Sequence, residues 1–384
     1  MKLLHVINST SPAGGGPIES ILQAHRELSR RGHMFEVLCG DSPAAPWLAH
    51  LPFPVTALGP ARTSYRYVPA AVTWLGGHVN AFDAVILHGI WSYLGYAVWR
   101  VRQIRPYFVY AHGMLDPALA RVFPAKHIAK TILWKMFEHR LLHDAAAVFF
   151  TGEEELQLAA SGFRPYDVRP EIVPYCVGEP PGDPERQVEL FEAQFPAVRG
   201  RRVMLFLSRL HPKKGADLVL GALAALASRM EDWHLVLAGP DTGSYRSSLE
   251  KAASRFGLSG MITWTGFLSG DLKWGAFRRA EAFILPSHQE NYGIAVVEAM
   301  ACGTPVLISR RVNIWREAVG EGGGFAEDDT EEGTERLIMR WLSLSDVQRA
   351  EHRRMARRAF ERHFAASSAA DRLIEVLRGH GVKE

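Results

Sequence analysis

Short runs of β-branched and aromatic residues alternate with longer amphipathic segments along almost the whole chain. Parallel strands need a crossover segment, usually a helix, so this alternation is typical of an α/β protein with parallel sheets. One helix is predicted to begin at Pro17 and end at Gly32, since proline is common just inside a helix start and glycine just past its end. The strands predicted in the first half are "KLLHVIN" (2–8), "FEVLC" (35–39), "AVILHG" (84–89), "YFVYAH" (107–112), "AVFFTG" (147–152) and "EIVPY" (171–175).

The pattern breaks at "VGEPPGDPERQ", residues 177–187, where glycine, proline and charged residues crowd together. We place a domain boundary there, which gives an N-terminal domain of residues 1–177 and a C-terminal domain of residues 178–363. The last helix, residues 364–384, is predicted to cross back to the N-terminal domain. The strands predicted in the second half are "RVMLFLSRL" (202–210), "HLVLAG" (234–239), "ITWTGF" (262–267), "AFILPS" (282–287), "PVLIS" (305–309) and "GGFA" (323–326).

Each half therefore resembles a doubly wound, Rossmann-like α/β domain. In such folds ligands bind beyond the carboxyl ends of the strands, and we expect them in a cleft that the two domains face.

Composition narrows the class of protein without identifying it. The chain has 384 residues, of which 47% are hydrophobic and 22% charged, as in ordinary globular proteins. A formal net charge of +3 gives no reason to expect nucleic acid as a partner. The scattered cysteines, the lack of a signal-like N-terminus and the lack of a long apolar run predict a cytoplasmic protein.

The loop "SRLHPKKGADLVLGALAAL" carries the first candidate chemistry. Arg209 and Lys214 stand between a strand and a helix predicted to start near Gly215. Two cations beside the free N–H groups of a helix N-terminus favour an anion, especially a diphosphate. Taken alone, the loop is equally compatible with a solvated basic turn.

The stretch "HQENYGIAVVEAMACGTPVLIS", residues 288–309, carries two carboxylates. Glu290 is predicted in a strand-to-helix turn and Glu298 more than one turn into the following helix. Because they lie on different elements, they suit neither a single metal ion nor an acid/base pair. Carboxylates do accept hydrogen bonds from neighbouring sugar hydroxyls. Read together with the basic loop, they indicate a sugar nucleotide.

The motifs "SRL…KKGADLVLGAL" and "ENYGIAVVEAMACGTPV" together resemble the retaining GT-B glycosyltransferases of family 4. The resemblance runs through nearly all of the second domain. The first domain agrees more loosely, through "GGGP" at 14–17 and "YAHGMLDPALA" at 110–120. The resemblance implies a GT-B fold and transfer of a sugar from a nucleoside diphosphate sugar to a hydroxyl of a glycan or lipid-linked acceptor. It also implies that the first domain binds the acceptor and the second the nucleotide sugar.

The resemblance also implies roles for individual residues. Arg209 and Lys214 would hold the donor diphosphate, Glu298 the ribose and Glu290 the donor sugar. His112 would approach the sugar from the first domain. The remaining donor-binding residues implied are Gly15 and Gly16 near the diphosphate, Gly266, Phe267 and Leu268 near the base, and Asn291, Tyr292, Gly293 and Ile294, whose N–H groups would touch sugar and phosphate.

The expected mechanism needs no cofactor and no metal. Many glycosyltransferases bind a metal through Asp-x-Asp, a pattern that this sequence lacks. Arg209, Lys214 and a helix dipole would stabilise the leaving diphosphate instead. The family implies retention of anomeric configuration, with the departing phosphate oxygen accepting the proton of the acceptor, so neither glutamate would be the general base.

Three competing signals are weaker. "SPAGGGP" before Asp41 imitates a dinucleotide-binding unit but lacks the G-x-G-x-x-G spacing. His139 and His143 have a zinc-like spacing, without an apparent third ligand. The segment 121–140 interleaves basic and apolar residues, which is compatible with an ordinary helix that packs one face on the core and with weak association with an anionic membrane surface. Lipid-linked acceptors are common for this resemblance, and they favour the membrane association.

The sequence and the resemblance together therefore predict a cytoplasmic glycosyltransferase, peripheral on the inner face of the cell membrane. Its role in exopolysaccharide, capsule or lipopolysaccharide biosynthesis is what the resemblance implies. The alternatives left open are a nucleotide-sugar epimerase or phosphorylase of the same fold, and a non-catalytic subunit that binds sugar nucleotides. The donor base, sugar, acceptor and linkage remain open.

Overall fold

A computed structural model describes residues 1–12, 15–118, 124–241 and 243–383. The chain divides into two compact units. Unit 1 comprises Met1–Cys176 and Ala366–Glu384, and unit 2 comprises Val177–Ala365. The sequence pattern predicts domain boundaries at 177/178 and 363/364, and the two units divide at 176/177 and 365/366.

Thirteen strands are described; each of the twelve predicted strands has an observed counterpart, and the third strand was not predicted. Their bounds are β1 Lys2–Ile7, β2 Met34–Cys39, β3 Val55–Ala57, β4 Ala84–His88, β5 Tyr107–Tyr110, β6 Ala147–Phe150, β7 Pro170–Ile172, β8 Arg202–Leu207, β9 Trp233–Ala238, β10 Ile262–Gly266, β11 Ala282–Leu285, β12 Val306–Ser309 and β13 Gly324–Glu327.

The α-helices of the described residues lie between most of these strands. Their bounds are α1 Gly16–Arg30, α2 Ala70–His78, α3 Tyr93–Arg100, α4 Pro124–Leu133, α5 His139–His143, α6 Glu153–Ala160, α7 Pro184–Gln194, α8 Ala216–Leu226, α9 Tyr245–Arg255, α10 Gly270–Arg279, α11 Ile294–Ala301, α12 Trp315–Val319, α13 Glu331–Leu342, α14 Asp346–His363 and α15 Ala366–Gly379. Short 3-10 turns occupy Pro46–His50, Val79–Ala81, Pro196–Val198, Pro212–Lys214, Ala227–Arg229 and Ser259–Met261.

Unit 1 is built on a seven-stranded parallel sheet in the order β3-β2-β1-β4-β5-β6-β7. The central strand β4 is buried along its whole length, as expected for a parallel strand covered by helices on both faces. The strand order reverses direction between β1 and β4. Loops after these two strands diverge, and this is where open α/β sheets bind ligands.

Unit 2 has a six-stranded parallel sheet in the order β10-β9-β8-β11-β12-β13. Here the order reverses between β8 and β11. The doubly wound α/β fold predicted for each half of the chain is confirmed by the two sheets.

The C-terminal helix α15 lies in unit 1 and packs against α1. Arg31 Nε donates to Asp371 Oδ1 at 2.9 Å, which links the end of α1 to α15. Arg372 reaches the edge strand β7, where its guanidinium bonds Glu171 Oε2 at 2.8 Å.

The basic segment predicted as a single amphipathic helix is more complex, and its first residues, 121–123, lie outside the described part. Helix α4 continues through a π-helical turn, Trp134–Glu138, into α5. Trp134 is buried, and Lys130 is half-buried with its ammonium 4.8 Å from the centre of the Trp91 ring. These two residues therefore face the core, and only part of the predicted surface points outward. Within the described ranges, no helix combines the length and apolar character needed to cross a membrane.

Candidate active site

The loops after β8 and β11 meet where the strand order of unit 2 reverses. The carbonyl oxygen of Lys213 accepts hydrogen bonds from His288 N at 2.8 Å and from Ser287 Oγ at 2.9 Å. Gly215 has φ 71°, and a Cβ there would lie 2.3 Å from the carbonyl oxygen of Pro286. Only glycine permits this close approach, which brings the basic loop against the loop that carries Glu290.

The structure brings Lys214 and Glu290 into direct contact. The Lys214 ammonium donates to Glu290 Oε2, and the two side chains are 12% and 21% exposed. The backbone of Glu290 is fixed on both sides, because its N–H donates to Arg311 O at 2.9 Å and its carbonyl accepts from Asn313 N at 2.9 Å. An ammonium and a carboxylate are therefore held together at the switch point of the sheet.

Glu298 also has a lysine partner, which the sequence analysis did not anticipate. It lies on α11, and its Oε1 accepts a hydrogen bond from Lys273 Nζ at 2.7 Å. Lys273 belongs to the first turn of α10, directly after β10. A cation close to the start of a helix that follows a strand is similar to the signal that identified Lys214, so the sequence does contain a signal for Lys273.

Arg209 follows β8 and is exposed. Among the described residues, its guanidinium has no ion pair or hydrogen bond. The loop behind it is tightly built, since a Cβ at Gly239 would lie 1.8 Å from the carbonyl oxygen of Ser208. Arg209 thus presents a cation from a rigid loop, whereas Lys214 in the same loop is paired with Glu290.

Residues Gly266, Phe267 and Leu268, predicted near the base, form the end of β10 and its following turn. Gly266 has φ 69°, and its carbonyl accepts a hydrogen bond from Gly239 N at 2.8 Å. Phe267 is 72% exposed, whereas Leu268 is buried. The structure therefore offers an exposed aromatic side chain beside the loop after β9.

The segment from Asn291 to Ile294 forms the turn into α11. Gly293 has φ 72° and ψ 63°, a left-handed conformation suited to glycine, and Ile294 begins the helix. Tyr292 is buried and packs edge-on against Phe364, with ring centres 6.1 Å apart. Its side chain is thus part of the core, and only its backbone is placed to act as a donor.

In unit 1, Gly15 and Gly16 lie at the start of α1. Gly15 is the N-cap residue with φ 71°, and a Cβ there would meet no atom within 4 Å. Position 15 therefore favours glycine because of its backbone conformation and not because of crowding around the residue. Gly14, the first residue of the quoted motif, lies outside the described residues.

His112 ends a hydrogen-bonded chain of three histidines at the carboxyl edge of the unit 1 sheet. His5 Nδ1 lies 2.9 Å from His88 Nε2, and His88 Nδ1 lies 3.2 Å from His112 Nε2. On its other side, His112 Nδ1 contacts the hydroxyl of Tyr175. Each neutral imidazole has one N–H, so the direction of one hydrogen bond fixes the direction of all the others.

Burial keeps this chain neutral. It lowers the pKa of His112 to about 3 and that of His5 to about 3, and it holds the pKa of His88 well below its usual range. The backbone of His112 is left-handed, with φ 52°. The next residue, Gly113, donates its N–H to Glu155 Oε1 at 2.6 Å, so the carboxylate of α6 helps to hold this turn.

The zinc-like pair is engaged elsewhere. His139 Nδ1 lies 2.7 Å from Trp134 O, and His143 Nδ1 lies 3.2 Å from Asp167 Oδ2. No cluster of three or more histidine, cysteine, aspartate or glutamate side chains is arranged to hold a metal ion in the described part of the chain.

Two family models match the chain. The model for "Glycosyl transferases group 1" matches residues 187–362, and the model for "Glycosyl transferase 4-like domain" matches residues 15–176. The chain belongs to family 4 of the glycosyltransferases. Membership makes it an enzyme of sugar transfer, as predicted, and excludes the dinucleotide-dependent oxidoreductase that the N-terminal glycines imitate.

Among known relatives, the glycosyltransferase is 28% identical over 334 residues to the GDP-mannose:cellobiosyl-diphosphopolyprenol alpha-mannosyltransferase of Xanthomonas campestris. The match covers 84% of this chain and 82% of that protein.

Solved structures agree on the fold. HepE from Anabaena, crystallised with UDP and glucose, superposes with a TM-score of 0.73 at 18% identity and covers 99% of this chain and 100% of its own. A glycosyltransferase from Rickettsia africae gives a TM-score of 0.79 at 13% identity, covering 99% and 98%. The GT-B architecture predicted for the glycosyltransferase is thereby confirmed.

Proposed function

We propose that this glycosyltransferase moves a sugar from a nucleoside diphosphate sugar to a hydroxyl of a lipid-linked glycan, with retention of configuration and without a metal. The observation that carries the proposal is the contact between Lys214 and Glu290 at the switch point of unit 2. A cation for the diphosphate and a carboxylate for sugar hydroxyls lie side by side where such sheets bind ligands.

The proposed division of labour follows from charge. Lys214 and Arg209 bind the diphosphate and stabilise the negative charge that grows on it as the glycosidic bond breaks. Glu290 then accepts hydrogen bonds from hydroxyls of the donor sugar. Glu298, held by Lys273, accepts those of the ribose. Free N–H groups in the first turn of α11 add neutral donors for sugar and phosphate.

Neither glutamate is assigned as a base in this scheme. Each is engaged by a lysine ammonium, Glu290 by Lys214 and Glu298 by Lys273. The proton of the acceptor hydroxyl passes to the departing phosphate oxygen on the same face of the sugar, so the new bond retains the anomeric configuration. The cationic groups do the work that a bound metal does in other glycosyltransferases.

The acceptor and pathway are proposed by analogy with a relative. The Xanthomonas campestris protein takes GDP-mannose as donor and a cellobiosyl diphosphopolyprenol as acceptor, by its name. We accordingly propose a lipid-linked acceptor in the assembly of a surface polysaccharide, and GDP-mannose as the first donor to test.

The first test is nucleotide release from a panel of GDP-, UDP- and ADP-sugars, with and without lipid-linked acceptor. Release that needs acceptor supports transfer, whereas conversion of the donor without release favours an epimerase. Donor binding with no turnover for any acceptor favours a non-catalytic subunit. Activity should persist in EDTA, and a complete loss that manganese restores would exclude the metal-free mechanism.

The matched variants for this test lie side by side in one loop. Lys214→Met should lower turnover by about a hundredfold or more, since losing one such donor typically has that effect. Lys213→Met removes the same charge from a side chain that donates to the Gln289 amide oxygen at 3.3 Å, and it should have a much smaller effect.

We also propose that the enzyme associates weakly with anionic membrane from the cytoplasmic side. Ile128, Ile132 and Met136 form an exposed apolar stripe, 65%, 57% and 68% exposed, along α4 and the turn after it. Exposed Lys126 and Lys135 lie on the same segment. An apolar stripe flanked by lysines is suited to the surface of a bilayer.

Vesicle flotation tests this association. The wild-type enzyme should float with vesicles containing phosphatidylglycerol and less with pure phosphatidylcholine. The double variant Ile132→Ser/Met136→Ser should stay in solution. Val347→Ser, which replaces a 78% exposed residue of unit 2, is the matched control. Equal flotation of all three proteins would show that the stripe is not the membrane contact.

A further inference from the structure

A cavity of about 290 Å³ lies in unit 1 beyond the carboxyl ends of β1 and β2. None of the donor-binding residues described above lines it. Its polar lining comes from three loops, and includes Asn8 after β1, Asp41 after β2, Trp47 in the following turn and Arg66 after β3. The volume lies at the lower end of the range for small-molecule sites, which suits one sugar ring.

The loops around this cavity are rigidly connected. Gly40 N donates to Asn8 O at 3.2 Å, and Ala61 N donates to Gly40 O at 2.9 Å. A Cβ at Gly59 would lie 2.0 Å from the carbonyl oxygen of Gly40, so the second and third loops touch backbone to backbone. A cavity with such walls is largely pre-formed, which reduces the cost of ordering when a ligand binds.

Two polar atoms of the lining residues lack a partner. Asn8 Oδ1 and Trp47 Nε1 are both buried and have no hydrogen bond to the rest of the described chain. Buried polar groups are nearly always hydrogen-bonded, so each of these atoms needs an explanation. One is an acceptor and the other an N–H donor. Hydroxyl groups of a sugar suit both atoms, because a hydroxyl can donate to Asn8 Oδ1 and can accept from Trp47 Nε1.

Charge in the cavity is asymmetric. Asp41 already accepts Ser9 Oγ at 2.6 Å, Thr10 N at 2.6 Å and Thr10 Oγ1 at 2.8 Å, so its carboxylate braces the loop after β1. Arg66 is exposed, has a left-handed backbone with φ 55°, and forms no side-chain hydrogen bond or ion pair with any described residue. The negative Asp41 disfavours an anion deep in the cavity, whereas Arg66 favours one at its rim.

We propose that this cavity is an acceptor subsite, which binds one sugar ring through Asn8 and Trp47 and an anionic substituent of that sugar through Arg66. The proposal rests on the proposed transferase function, since it names the class of acceptor. The anion is either a phosphate joined to the ring or a ring carboxylate.

The test is direct binding to the full-length enzyme, measured by saturation-transfer NMR and calorimetry. The probes are glucose 1-phosphate, glucuronic acid, methyl glucoside and inorganic phosphate. At least one anionic sugar should bind more tightly than methyl glucoside by about tenfold, the typical worth of a hydrogen bond to a charged group. The comparison of the phosphate with the carboxylate probe identifies which anion the rim prefers.

Three variants locate the probe. Arg66→Gln should lower the affinity for the anionic sugar by about tenfold and leave the affinity for methyl glucoside unchanged. Trp47→Phe removes the N–H but keeps an aromatic ring, so it should weaken both sugars alike, with melting temperature recorded as a check on folding. Arg62→Gln alters an exposed arginine of the same turn that does not line the cavity, and it should change nothing.

Several results would overturn the proposal. These are equal binding of charged and neutral sugars, an Arg66→Gln variant with wild-type affinity, and an Arg62→Gln variant as weak as Arg66→Gln. Displacement of the probe by excess nucleoside diphosphate would place it in the donor site instead. The binding assay contains no donor, so it tests the acceptor subsite separately from sugar transfer. Failure of binding with normal nucleotide release would overturn the subsite alone, and binding without nucleotide release would overturn the transferase function alone.

Discussion

Neutralising the two members of the Lys214–Glu290 ion pair should change nucleoside diphosphate affinity in opposite directions. In the unliganded enzyme the carboxylate of Glu290 occupies the ammonium that the diphosphate needs. The substitution Glu290→Gln removes this internal competitor, and Lys214→Met removes the binding group itself. The first variant is therefore expected to bind a nucleoside diphosphate more tightly than the wild type, and the second more weakly.

The burial of the pair sets the size of the effect. At 12% and 21% exposure, the two side chains lie between a surface pair, worth about 0–1 kcal/mol, and a buried pair, which loses about 3–5 kcal/mol when one partner is removed. A net competition of about 1 kcal/mol corresponds to a roughly fivefold gain in affinity for Glu290→Gln. Lys214→Met loses a charge-assisted contact to phosphate, so its affinity should fall by about tenfold or more.

Isothermal titration with GDP and UDP at fixed ionic strength measures both changes. Titration with the intact sugar nucleotide adds a second readout, because Glu290→Gln also loses its contact with the sugar. The gain seen with the nucleoside diphosphate should then shrink or disappear. Lys213→Met is the control for a general loss of positive charge in the loop, and it should change affinity by less than about threefold.

The reasoning is wrong if Glu290→Gln weakens the nucleoside diphosphate as much as Lys214→Met does. That outcome would mean that the carboxylate orders the ammonium for binding instead of competing for it. It would leave the diphosphate site in place but remove the idea of an internal counter-charge.

Three further predictions concern Lys273 beside Glu298, Tyr175 beside His112, and the buried carboxyl group of Glu138. Lys273→Met should weaken nucleoside diphosphate binding by about fivefold, measured by calorimetry, because Glu298 loses the 2.7 Å contact that orients it. Tyr175→Phe should lower kcat by several-fold without changing nucleoside diphosphate affinity, and nitrogen NMR of His112 should show mixed tautomers where the wild type shows one. Burial raises the pKa of Glu138 to about 7. The stability linked to its protonated form is therefore complete below pH 4.5 and is lost as the pH rises through 7. Chemical denaturation should find Glu138→Gln more stable than the wild type by up to about 3 kcal/mol at pH 8, and no more stable at pH 4.5.

The alternation of strands and helices was predictable because buried parallel strands are continuous apolar runs. The errors lie at the ends. The runs predicted over 202–210 and 282–287 end as strands at Leu207 and Leu285. The predicted runs are too long because burial continues past the strand ends, as Leu210 and Ser287 are buried in the loops beyond the sheet. Strand β3, Val55–Ala57, was missed because it is a short edge strand of half-buried residues that follows Pro54.

Pairing between side chains was much less predictable than their position. The sequence placed Lys214 and Glu290 on neighbouring loops, but contact between them depends on the close approach of Gly215 to Pro286. The histidine chain is similar, since His5 and His88 stand in apolar strands that lie adjacent only in the reversed strand order β1-β4. A polar residue inside an otherwise apolar strand is the sequence signal for such a chain.

The two lysine–glutamate pairs suggest why this site combines so many charges without a metal. The side chains of both pairs are partly buried, where an isolated charge is costly. Pairing them satisfies both in the unliganded enzyme. A nucleoside diphosphate sugar carries its own anion and its own hydroxyls, so it can replace each half of the Lys214–Glu290 pair with a partner of matching chemistry, while Lys273 continues to orient Glu298. The exposed Arg209 is then the cation that first attracts the donor, and the Lys214–Glu290 pair exchanges partners only after the donor arrives. On this view, Arg209→Gln should slow association of the nucleoside diphosphate in stopped-flow experiments and make its rate less dependent on salt, while Lys214→Met should act mainly on dissociation.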